Sequence, residues 1–149
     1  MNESLSVDEL QVLANDPEKA AARVFEVLDA MATADEEQIA WMSDCMQVVD
    51  IAKVDLQAIA KYCDHQCAAA AVWACKLLGR EPSEATKYQT ELCQALASHA
   101  DIYVRQQAAS SLRKATTLDD KTTQALTAAA QNPDPRLKRL AQQALESAA

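Results

Sequence analysis

The chain has 149 residues, half of them hydrophobic, yet only 4% aromatic and with a single glycine. That length suits one domain with a shared core, and the formal net charge of −8 argues against nucleic acid or an anionic membrane as partner. Alanine supplies much of the apolar count and is the strongest helix former, while no segment alternates Val, Ile, Thr and aromatics, so the chain reads as all-α.

The first residues, Met1-Asn-Glu-Ser-Leu-Ser-Val-Asp8, lack a basic region followed by an apolar run, so no signal peptide is expected. With no apolar stretch of membrane-spanning length, no transmembrane helix is expected either. Residues 1–60 hold 13 acids and 3 bases (−10), whereas residues 61–149 hold 9 acids and 11 bases (+2). The acidic N-terminal part serves solubility or offers a face for a basic partner or a second copy.

In chain order, Val7, Leu10, Leu13 and Ala14 predict a short first helix over 7–14. Asp16-Pro17 opens a second, with Val24 and Leu28 on its apolar side. The segment from Asp35 to Val49 carries two apolar stripes, Ile39, Met42, Met46 and Val49 on one side and Trp41, Cys45 and Val48 on another. A helix apolar on two sides is usually buried between neighbours. It reads as an extra helix over 36–50 wedged into the N-terminal half. The alternative is a self-association surface built on Trp41, Met42 and Met46.

Further on, Leu56, Ile59, Ala60 and Cys63 predict a helix over 54–63. Tyr88, Leu92, Ala95 and Leu96 predict one over 84–99, and Thr122, Leu126 and Ala129 one over 119–131. Between them lie segments anchored on Asp64, Asp101 and Asp134. From Asp101, the residues three, seven and eleven places on are Val104, Ala108 and Leu112. From Asp134 they are Leu137, Ala141 and Leu145, and from Asp64 they are Cys67, Ala71 and Cys75. Helices are therefore expected to start after Asp16, Asp64, Asp101 and Asp134, each carboxylate capping free backbone N–H groups. Proline at 17 and 135 suits the first helical position, and Gly79 should close the helix that follows Asp64. Near-matching segments 33 residues apart mark a helical solenoid.

The segments Asp101 to Leu112, with Val104-Arg105 and Ala108, and Asp134 to Leu145, with Leu137-Lys138 and Ala141, resemble the second helix of a HEAT repeat. The Asp64 segment keeps the Asp and Ala71 but has Ala68 at the basic position, and the Asp16 segment has Ala20 there. The resemblance implies a right-handed α-α superhelix of about four helix pairs plus the extra helix. It implies one domain over 1–149, atypical over 1–53 and regular over 54–149. It also implies an Asp-to-base ladder between repeats through Asp101, Arg105, Asp134 and Lys138. The family mostly binds macromolecules along a concave side lined by second helices, although fold alone does not fix function. A non-catalytic adaptor for a protein partner, by charge a basic one, is the expectation. A HEAT-like enzyme or nucleic-acid module, similar to alkylpurine DNA glycosylases or bilin lyases, is the alternative, with the basic cluster Arg136, Lys138 and Arg139 in its favour.

The outward stripe of the second helices should lie two, six and nine residues after each Asp. It gives Gln66, Ala70 and Trp73, then Tyr103, Gln107 and Ser110, then Arg136, Leu140 and Gln143. Trp73 is either an aromatic hot spot on the groove or a side chain packed under the extra helix. The cluster Cys63, His65 and Cys67 lacks the second ligand pair that zinc requires, so no metal and no cofactor are expected. There is no Gly-rich phosphate loop and no nucleophile elbow, so no catalytic residues are assigned. Five cysteines within helical patterns read as reduced thiols in a cytoplasmic protein.

Overall fold

A computed structural model describes residues 5–148, and among them all regular structure is helical. Residues 1–4, part of the segment judged not to be a signal, lie outside the described residues. The α-helices are α1 (Val7–Leu13), α2 (Pro17–Ala22), α3 (Val24–Ala30), α4 (Glu36–Val48), α5 (Leu56–Ala60), α6 (Ala68–Leu78), α7 (Pro82–Lys87), α8 (Gln89–Ser98), α9 (Ile102–Leu112), α10 (Asp120–Ala129) and α11 (Pro135–Ser147). Short 3-10 turns fall at Met31–Thr33, Ile51–Lys53 and Lys61–Asp64. The chain divides into two compact units, residues 1–56 and 57–149.

In the first unit each start is written in local chemistry. Ser6 accepts from the Glu9 N–H and Asp16 from the Lys19 N–H, with Pro17 in the first turn of α2. Asp35 and Gln38 form a reciprocal capping box at α4, with bonds of 2.8 and 3.0 Å. The helix expected after Asp16 is two helices, α2 and α3, broken at Arg23. The extra helix is present as α4 and packs against α1, α2 and α3. Met42, Cys45 and Met46 on it are wholly buried. Each of the two methionines contributes roughly 1.5–3 kcal/mol of burial, so α4 is a core element of this unit. The Cys45 thiol donates to the Leu10 carbonyl across that core at 3.2 Å.

The second unit is a stack of helical hairpins. α8 pairs with α9 and α10 with α11, while α9 also lies against α6 and α11, so α6, α9 and α11 form one layer. The other layer holds α8 and α10, with the Lys61–Asp64 turn packed on α6 and α8. Asp101 accepts from the N–H groups of Tyr103 and Val104, and Asp134 from that of Leu137. These two starts fall where the sequence places them.

The start after Asp64 does not. Asp64 ends the Lys61–Asp64 turn, and α6 begins at Ala68 with Cys67 as its N-cap. The turn itself shows why. His65 Nδ1 accepts from the Cys67 N–H at 3.0 Å, His99 Nδ1 from the Asp101 N–H at 3.0 Å, and Asn132 Oδ1 from the Asp134 N–H at 2.9 Å. One acceptor two residues before the cap shapes all three turns, so Cys67 corresponds to Asp101 and Asp134. The stripe of α6 is then Ala70, Ala74 and Leu78, all wholly buried, and it matches Val104, Ala108 and Leu112.

Two further differences have local causes. The helix expected over 84–99 is broken at Tyr88 into α7 and α8. The Thr86 hydroxyl donates back to the Pro82 carbonyl at 2.8 Å, and the Gln89 side chain occupies the Thr86 carbonyl at 3.0 Å. Side chains inserted into the ladder in this way bend or break helices. Gly79 does close α6, but with φ of −93°, so no left-handed cap is involved. Its role is close approach. A Cβ there would lie 2.9 Å from the Ser111 Cα and closer still to the Ser111 side chain. The absent side chain lets α9 sit down on the end of α6, where the Ser111 hydroxyl donates to the Cys75 carbonyl at 2.7 Å.

Candidate functional site

The repeats of the second unit are tied by buried or half-buried polar side chains, and these come first because they fix where the outward residues stand. Gln106, 7% exposed, donates to Asp134 at 2.9 Å and so links α9 to the start of α11. Gln89 accepts from the Asp119 N–H at 2.9 Å and donates to the Thr117 carbonyl at 3.1 Å, holding the segment before α10. His99 Nε2 reaches the His65 carbonyl at 2.9 Å, one turn to the next. Since Nδ1 of that ring accepts a backbone N–H, Nε2 carries the proton and donates. The Leu137 N–H and then the Gln106 amide hold the Asp134 carboxyl below its ordinary range.

The Asp-to-base ladder implied by resemblance takes another form here. Arg105 Nε donates to the Leu96 carbonyl at the end of α8, at 3.0 Å. Among the described residues, none of Asp101, Arg105, Asp134 and Lys138 is ion-paired. The bridge between repeats at Asp134 is the Gln106 amide, a residue that the spacing from Asp101 does not single out.

The counted stripe is outward along α9, and along α11 it is outward except at Leu140. Tyr103 is 67% exposed, Gln107 and Ser110 are half-buried, Arg136 is exposed, Leu140 buried and Gln143 half-buried. On α6 the three-residue shift of origin displaces it. Gln66 lies in the turn before α6 and Ala70 is in the core. The residues corresponding to Tyr103, Gln107 and Ser110 are Ala69, Trp73 and Lys76. Trp73 therefore stays on the stripe, at the position that is Leu140 in α11, and like Leu140 it is buried, at 8% exposure. The Lys76 ammonium stands 4.4 Å from the centre of its ring, a cation–π contact.

The C-terminal ends of the layer add residues the counting did not reach. Arg113 donates through Nη1 to Gln143 at 2.9 Å and through Nε and Nη2 to the carbonyl and hydroxyl of Ser110. Lys114 donates to the Arg80 carbonyl at 3.3 Å. Between α9 and α11 these ends leave an open cleft of about 530 Å³ lined by Arg113, Lys114, Gln143, Glu146 and Ser147. Arg139 and Gln142 of α11 correspond to the buried Gln106 and Ala109 of α9, and both are exposed.

The remaining candidates are placed as follows. Met42 and Met46 lie inside the first unit, which leaves the half-buried Trp41 as the member of that set with exposed surface. All five cysteines are free. Burial, with the nearby Asp44 adding to it, pushes the Cys45 thiol up to about 11. The neighbouring Cys75 thiol, then burial, push the Cys63 thiol upward as well. A thiol shifted this way is a poor nucleophile and metal ligand at neutral pH. Among the described residues no three His, Cys, Asp or Glu side chains are grouped to hold a metal ion. No helix among them is long and apolar enough to cross a membrane.

The stacked hairpins, their shared turn acceptor and the Asp caps define a helical repeat protein. A family model described as HEAT repeats matches residues 55–146, and the chain belongs to that family. No curated protein and no solved structure matches it.

Proposed function

We propose that the chain is a non-catalytic adaptor that binds a protein partner on the outward face of α9 and α11. Tyr103 carries the reading. It stands two-thirds exposed on a layer whose other large apolar side chains are buried or half-buried. Exposed Tyr beside Arg is the composition of binding hot spots, and here Arg136 occupies the same place one repeat on. HEAT arrays commonly serve as interaction scaffolds, and this layer is held rigidly enough, through Gln106, Ser111 and Arg113, to present a preformed surface. The acidic first unit keeps open the basic partner suggested by its charge, but the face itself has the opposite sign.

The test is affinity purification with quantitative mass spectrometry, comparing the natural chain with a Tyr103→Ala/Arg136→Glu variant. Both residues are exposed, so the thermal melting curve should be retained. The expected result is a partner recovered by the natural chain and lost by the variant. Identical recoveries from the two proteins would remove the reading.

A further inference from the structure

We infer that the α9–α11 face, with Lys76 of α6 at its edge, binds an acidic peptide segment of the partner protein. The inference rests on the adaptor reading and adds the chemistry of what is bound. The chain as a whole carries −8, yet this face carries Lys76, Arg113, Lys114 and Arg136, against Glu146 and the capping carboxylate of Asp134 near Arg136. Among the described residues none of these four cations is ion-paired, in a protein with 22 acids to 14 bases.

Their placement is fixed from below. Arg113 is held on three sides by Ser110 and Gln143, and Lys114 is anchored on the Arg80 carbonyl, both beside the open cleft between α9 and α11. Cations already ordered lose less entropy on meeting a carboxylate, and an arginine fork retains donors for one. Tyr103 adds an amphipathic ring on the same layer, suited to an apolar side chain of the segment.

The face favours an acidic peptide over a nucleic acid. A nucleic acid brings a charge with every nucleotide toward a protein of net −8, whereas a peptide can confine its carboxylates to the cations of this face, and Tyr103 alone offers no succession of rings for base stacking. A second copy of this chain, through its acidic first unit, is the other anionic candidate, but its longest acidic run, Asp35-Glu36-Glu37, is folded into the cap and first turn of α4 rather than presented as an extended segment.

Random dodecapeptides displayed on phage, selected against the full chain, provide the test. The expected result is enrichment of acidic peptides with an apolar residue. Their binding should weaken at least about tenfold with Tyr103→Ala and with Lys114→Gln/Arg136→Gln, and should fall as salt rises. Enriched peptides that are neutral or basic but still depend on Tyr103 would overturn the inference and leave the adaptor reading standing. Peptides indifferent to Tyr103→Ala, or no enrichment, would overturn both. A labelled oligothymidine strand that displaces the selected peptides, or light scattering showing copies of the chain closed on one another through Lys114 and Arg136, would also overturn the inference.

Discussion

The start of α6 and the starts of α9 and α11 occupy the same place in successive repeats, and they are built differently. At α9 and α11 an aspartate caps the helix. At α6 the cap is Cys67, whose side chain makes no capping bond. What the three share is the turn acceptor two residues earlier, His65, His99 or Asn132. The difference teaches that the repeat is registered by the turn, while the capping carboxylate is an addition that one repeat does without. At its other end α6 is also singular, since Gly79 stands where α9 has Arg113 and α11 has Glu146.

Gly79 offers the largest way to break this arrangement. In Gly79→Ala the new methyl would meet Ser111 inside ordinary contact distance. The backbone there tolerates alanine, so the destabilisation is steric and outweighs the smaller gain from a stiffer unfolded chain. Because the Ser111 Cβ and Cα are themselves too close to that methyl, α9 must move off α6, loosening the Ser111 bond to Cys75. Overpacking costs typically 1–3 kcal/mol, and urea unfolding of Gly79→Ala should show a loss of about 2 kcal/mol. Ser111→Ala alone should cost about 1 kcal/mol through the lost hydrogen bond. Combining Gly79→Ala with Ser111→Ala should cost less than the two together, because the shift of α9 that the methyl forces already breaks the hydrogen bond that Ser111→Ala removes. Strict additivity would show that the two residues do not meet.

Exchanging the cap chemistry sharpens the comparison at smaller amplitude. Cys67 has the extended conformation of an N-cap, φ −72° and ψ 112°, so Cys67→Asp should accept from the free N–H groups of α6. A good cap is worth about 1 kcal/mol over a residue that cannot accept, and the variant should be more stable by roughly that amount at neutral pH. Stability unchanged or lowered would mean the turn at His65 cannot present the carboxylate. The reverse experiment removes charge from a working cap. Asp134 has its folded pKa lowered, so its contribution is complete above the ordinary carboxylate range and drains away as pH falls through the folded value. Asp134→Asn keeps a capping oxygen, so it should lose little at neutral pH in denaturant titrations and flatten the decline below about pH 4.

The same comparison explains what could be read from the sequence. Tyr103, Gln107, Ser110, Arg136 and Gln143 fall where counting puts them because Asp101 and Asp134 are true caps. Gln66 and Ala70 do not, because Asp64 is a charged residue at the end of a 3-10 turn, and composition does not distinguish it from a cap. The spacing of His65 and His99, 34 residues against the 33 between Asp101 and Asp134, contained the correct origin. It would have replaced Gln66 by Ala69 and brought Lys76 onto the face. The double stripe of α4 was legible as a buried helix, since apolar periodicity is a property of sequence alone. The breaks at Arg23 and Tyr88 were not. At Tyr88 the break depends on where Thr86 and Gln89 send their polar atoms, and Gln89 and Gln106 find partners 28 to 30 residues away. A long-range hydrogen bond leaves no periodic trace.

The smallest expected effect separates the two bonds of His99. Its Nδ1 shapes the turn before α9, and its Nε2–H ties that turn to the one before α6. Asn132 performs the first task one repeat later with a shorter side chain. His99→Asn should therefore keep the turn and lose the tie, while His99→Ala loses both. Each neutral hydrogen bond contributes about 1 kcal/mol net, so the alanine variant should be less stable than the asparagine variant by about that much. Amide exchange gives the sharper readout. The Asp101 N–H should stay protected in His99→Asn and exchange faster in His99→Ala. Equal protection in the two variants would show that the backbone of the turn holds itself, and that the histidine and asparagine are carried by the turn rather than its cause.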